Sequence, residues 1–342
     1  MQQILFDGKH EIVGARIRTY LLERSRLVYQ PESERNYHIF YQLCAGAPAK
    51  EKKDLGLDDI SKFFYLNQGG LNAMTIAGVD DAEEFRTTQS ALSTVGVSVE
   101  KQWAVFRLLA ALLHLGNIRI TQMRNDAVID DNDPSLLIAT KLLGLSPVEF
   151  KRWTVKKQIA ARTEKIISSL NAAQATIVRD SVGKFIYACL FEWLISMVND
   201  SLAGDDGSGE RLAESFIGVL DIYGFEHYPY KGPSRSGGNA PGIANSFEQF
   251  CINYANEKLQ QEVRMQVTMK IKTPPDVLFS STLMFSNSNK KNTCEKRLIG
   301  LLLIIRTTNL VSMLLRANSG FFPCLTKNHD YLQAPTYPSS RS

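Results

Sequence analysis

The apolar positions along the chain fall into two kinds of run. Near the N-terminus, QILF and EIVGARIRTYLLE read as short strands around Asp7-Gly8, a common hairpin signal. Phe216–Leu220 is a continuous apolar run ending in Asp221, which predicts a strand buried on both faces of a sheet. The other runs have helical spacing. SERNYHIFYQLCAGAP predicts a helix with Ser33 and Asn36 as N-cap candidates and Gly46 and Pro48 as its stop. Trp103–Leu115 predicts another, with Phe106, Leu109, Ala110 and Leu113 on one face and Gly116 at its end. Ser135–Gly144 and Ser146–Trp153 read as two short helices. Ala172–Leu202 should be the longest, with Val178, Val182, Phe185, Ile186, Cys189, Trp193 and Val198 as its buried stripe. A last helix is expected from Asn245 as N-cap, with Glu248 completing a variant capping box. Its Phe247, Phe250, Cys251 and Tyr254 follow i, i+3, i+4, i+7 spacing and read as a core face. Few strands among many helices predict a helix-rich α/β fold.

Composition narrows this picture only slightly. A chain of 342 residues with 44% hydrophobic and 22% charged residues can bury a real core, as one large domain or two modest ones. The net charge of +4 is unevenly spread. Residues 263–342 hold 11 Lys/Arg against 3 Asp/Glu, and residues 1–262 hold 28 against 32. The basic residues of that tail alternate with apolar and small polar ones and form no stripe, so no nucleic-acid partner is expected. Five Cys lack metal spacing; Cys44, Cys189 and Cys251 read as reduced core residues of a cytosolic protein. MQQILFDGKHE has no signal-peptide character, and the longest apolar run, Leu298–Ile305, is too short to span a bilayer.

Candidate chemistry needs weighing residue by residue. Arg16, Arg18, Arg24 and Arg26 invite a phosphate-binding reading, but their i, i+2 spacing suits a solvated or ion-paired strand face. His38 has no second ligand at metal spacing, and His114 reads as satisfying a backbone group. The acidic segment Asp126–Asp133 lacks the Gly and terminal Glu of a Ca²⁺ loop. Asp221 is different. An acid at the carboxyl end of a buried strand sits where open α/β sheets bind ligands, and Gly224 would let backbone approach a phosphate.

LDIYGFE, joined to NSFEQFCINYANEKLQQ, closely resembles the switch II loop and relay helix of the myosin motor domain, with helix wording most like class V. GARIRTYLLERSRLV resembles the strand after switch I in that family. ERNYHIFYQL, FYLNQGG and AALLHLGNI follow family wording, and RDSVGKFIYACLFEWLISMVNDSL resembles the long helix of the upper fifty-kilodalton region. The resemblance covers Ile4–Glu262 and implies a partial P-loop-NTPase-like motor domain. It implies that Asp221 supports Mg²⁺ through a water, that the Gly224 N–H meets the γ-phosphate of ATP, and that Glu226 pairs with the switch I Arg and helps place the attacking water. It also implies that Asn245, Phe247, Phe250, Asn253 and Tyr254 belong to the relay helix. ATP with Mg²⁺ as cofactors, actin filaments as partner and a place in the cytoplasm on the actin cytoskeleton follow in the same way. Light chains, cargo and direction do not, since neck and tail wording is absent.

The sequence departs from the family in four places. No GxxxxGK[ST] occurs, and no switch I wording precedes the first strands. Between His227 and Asn245 stand 17 residues, YPYKGPSRSGGNAPGIA, where the family has only a few; their composition predicts a disordered insertion at 228–244. After Glu262 the family wording stops. Regrouping permitted codons of Asn289–Thr293 one nucleotide earlier can spell Glu-Gln-Glu-Glu-Tyr. The same shift on Leu325–Tyr331 can spell Leu-Asp-Glu-Glu-Ser-Arg-Leu, and both resemble later motor wording. Residues 263–342 are therefore expected to be a frame-shifted, disordered tail. Two readings stand: a fragment of an actin-based ATP motor, or a non-catalytic truncated product.

Overall fold

The computed structural model describes residues 2–20, 22–32, 34–161, 164–203, 211–219, 224–225 and 247–272. Asp221, Glu226, Asn245, the insertion at 228–244 and the tail beyond 272 lie outside the described residues. The chain divides into two compact units. One takes Met1–Leu22 with Leu202–Lys296, the other Glu23–Ser201 with Arg297–Ser342.

The first unit is built on a three-stranded antiparallel sheet of order β2-β1-β7, with β1 Gln2–Phe6, β2 Ile12–Ile17 and β7 Ser215–Val219. The Asp7-Gly8 hairpin forms as expected. Asp7 Oδ1 accepts from the Lys9 and Glu11 N–H groups at 2.8 and 2.9 Å, and His10 takes a positive φ of 64°. β7 departs from expectation. It pairs with β1 on one side only among the described residues, and Ile217 and Val219 are 59% and 56% exposed. An apolar run satisfies the pattern of a doubly buried strand, but burial needs covering layers, and none of the described residues supplies them.

The second unit is helical. Its helices are α1 His38–Gly46, α2 Ala49–Leu55, α3 Phe64–Asn67, α4 Asp81–Thr94, α5 Val99–Asn117, α6 Pro134–Leu143, α7 Pro147–Val155 and α8 Ala172–Ala203. Their ends obey capping chemistry. Asp80, Ser98, Asp133 and Ser146 accept N–H bonds at the starts of α4, α5, α6 and α7, and Gly56 and Gly144 close α2 and α6 at φ 65° and 68°. α1 is the exception: Tyr37 occupies its N-cap without a side-chain capping bond, its hydroxyl donating instead to the Glu23 carbonyl, and Asn36 is used elsewhere. Two hairpins that the hydrophobic pattern did not announce join these helices: β3 Thr121–Met123 with β4 Asp126–Val128, and β5 Lys156–Ala161 with β6 Glu164–Ser169. The first occupies part of the rejected Ca²⁺-loop segment, and no group of metal-binding side chains occurs among the described residues.

The core centres on α5, where Phe106 and Leu109–Leu115 are buried, and on Leu27, Phe40, Tyr41, Leu43, Phe63, Tyr65, Leu66, Phe85 and Phe150. α8 is long and apolar enough to cross a membrane by length and composition. Of its expected stripe, Val178, Val182 and Ile186 are buried; Phe185, Cys189, Trp193 and Val198 are half-buried. Cys44 is buried, and burial pushes its thiol up to about 12, which makes it inert.

Candidate functional site

In the first unit, the site predicted from sequence reduces to a loop and a helix, α9 Phe247–Lys272. Gly224 is exposed, and a side chain placed on it would meet nothing within 4 Å. Its carbonyl is engaged from behind: Asn256 Nδ2 donates to the Gly224 carbonyl at 3.1 Å and to the Ile252 carbonyl at 2.9 Å. One side chain thus fastens the loop to the helix.

Phe250 and Tyr254 are not a core face. They are 62% and 42% exposed, and their rings stack on each other with centroids 6.3 Å apart. Lys258 Nζ lies 5.8 Å from the Tyr254 ring centroid. The buried residue is Ile252, between them in sequence. Spacing alone identified an apolar stripe without saying whether anything covers it.

The second unit holds a buried polar hub around Tyr65. Its hydroxyl donates to Asp180 Oδ1 at 2.6 Å, and Arg179 donates to the same oxygen from Nε and Nη2 at 2.9 and 2.7 Å. Arg179 Nη1 also reaches the Ile118 carbonyl at 3.2 Å. Burial, with the Asp180 charge beside it, holds the Tyr65 phenol far above the ordinary tyrosine range. Asn36 donates from Nδ2 to the carbonyls of Leu27 and Tyr65 at 2.8 and 2.7 Å. Tyr41 donates to the Leu66 carbonyl at 3.0 Å. Arg35, nearly fully buried, makes a two-pronged pair with Asp81 at 2.6 and 3.1 Å and donates to the Met74 carbonyl at 2.7 Å. His114 Nε2 lies 3.0 Å from the Leu55 carbonyl, and burial lowers its pKa. These groups are committed to one another, so they form a scaffold and not a reaction centre.

A family model for the myosin head (motor domain) matches residues 1–272. The chain belongs to the myosin head family. Among its relatives are Myosin-2 of Saccharomyces uvarum, 55% identical over 265 residues, and Myosin-2 of Saccharomyces cerevisiae, 54% identical over 265; each match takes in 78% of this chain. Myosin-52 of Schizosaccharomyces pombe is 51% identical over 261 residues, 76% of this chain. The matched stretch is 16% of the length of each of these relatives.

Of the nucleotide-side residues, Gly224 stands in the open position described, and Asp221 and Glu226 lie outside the described residues. Of the relay-helix residues, Phe247 opens α9, Asn253 is half-buried, Phe250 and Tyr254 are exposed, and Asn245 is not described. Asn256 was missed. Its signal was available: a polar side chain one helical turn past Ile252, on the side that the buried residue defines. Around Gly224 the described residues alone do not form a nucleotide pocket.

Proposed function

We propose that this myosin-head chain is a piece of an actin-based, ATP-driven motor of the class V type, working in the cytoplasm on the actin cytoskeleton. The observation that carries the reading is the Asn256–Gly224 bond of 3.1 Å. It ties a backbone group suited to a phosphate to the third turn of a long helix, so a change at the loop would be passed to the helix. In this reading MgATP supplies the transferable γ-phosphoryl group and the cation that neutralises it. Gly224 would present its N–H to the γ-phosphate, Asp221 would support the cation through a water, and Glu226 would help place the attacking water.

A second reading rests on one sequence fact: GxxxxGK[ST] occurs nowhere in the 342 residues. In that reading the polypeptide is non-catalytic by itself. One experiment tests the motor reading directly. Residues 1–272, without 228–244, replace the matching stretch of the Saccharomyces cerevisiae Myosin-2 head, and phosphate release is followed with and without filamentous actin. The chimera should show actin-activated release, and Asp221→Ala or Glu226→Ala should abolish it. A folded chimera without actin activation overturns the assignment.

A further inference from the structure

No further inference is drawn: the strongest candidate, the polar cleft of the second unit lined by Tyr29, Phe64, Asn117, Asp130, Arg179 and Asp180, has its Arg179 and Asp180 paired with each other, and nothing in the structure shows what occupies it.

Discussion

The phrases that make this chain recognisable turn out to be contacts. In AALLHLGNI, His114 meets the Leu55 carbonyl, Gly116 lies against the Tyr65 ring, and Asn117 clamps the turn before α3. That clamp donates to the Lys62 carbonyl and accepts from the Phe64 N–H, both at 2.8 Å. Asn36 of ERNYHIFYQL shows the cost of losing such a contact. It is 1% exposed, and its removal leaves the carbonyls of Leu27 and Tyr65 without their donor. Asn36→Ala should therefore destabilise the chain by on the order of 3 kcal/mol. Asn67→Ala, which loses one exposed bond to the Ser61 carbonyl, should cost less than about 1 kcal/mol. Urea midpoints at unchanged m-value measure both. His114 makes a pH prediction. Burial lowers its folded-state pKa, so the fold binds the proton less readily than the unfolded chain does. Its contribution is complete above the unfolded value of about 6.5 and is lost as pH falls from there towards the lowered folded value. Stability should drop from about pH 7 to about pH 5 more steeply in the natural sequence than in His114→Gln. Parallel profiles would show that His114 does not titrate with unfolding.

At the scale of elements, glycines report how closely helices approach. A side chain on Gly46 would come 2.5 Å from Phe85 Cβ, and one on Gly116 would come 2.7 Å from the Tyr65 ring. Gly46→Ala should push α1 from α4, and Gly116→Ala should push α5 from α3, each at about 1–3 kcal/mol. Gly183 is the contrast. It sits inside α8 with its nearest neighbour, Leu27, 3.6 Å from the added carbon. Gly183→Ala should stabilise by up to about 1 kcal/mol through helix propensity alone. Thermal melts of the three variants separate packing from propensity. The helices α1 and α5 to α8 were legible because their apolar positions repeat over successive turns, whereas α2, α3 and α4 were not announced by the pattern, and the Ser98 cap starts α5 four residues before the expected Trp103. The hairpins β3–β4 and β5–β6 were not, because short strands on the surface need no apolar alternation. Asn36 passed for an N-cap because Asn serves both caps and buried clamps, and only tertiary contacts separate these uses. The same limit applies to the candidate site. Gly224 could be picked from the loop wording, whereas Asn256 acquires its role only once the helix is placed against the loop. Family wording was read as ending at Glu262, but the family model and α9 both run to residue 272, and nothing before Pro274 interrupts a helix.

At the scale of the whole molecule, phosphoryl transfer needs several parts assembled at once. The γ-phosphate must be held by backbone N–H groups and a Lys, its charge neutralised by a cation, and the attacking water positioned. In the proposed reading Gly224, Asp221 and Glu226 would each serve one part of this work, but GxxxxGK[ST], which would cradle the phosphates, occurs nowhere in the 342 residues. Binding energy at Gly224 alone is a single hydrogen bond to an ion that water already solvates well, worth about 1–3 kcal/mol even when charge-assisted. An affinity in the micromolar range requires about 8 kcal/mol. The 342-residue polypeptide by itself should therefore bind MgATP no tighter than millimolar and release phosphate at a rate that filamentous actin does not raise. Steady-state phosphate release with and without actin checks this, alongside titration calorimetry with MgATP. Turnover that disappears on Asp221→Ala or Glu226→Ala would mean that the missing phosphate cradle is supplied from elsewhere in these residues.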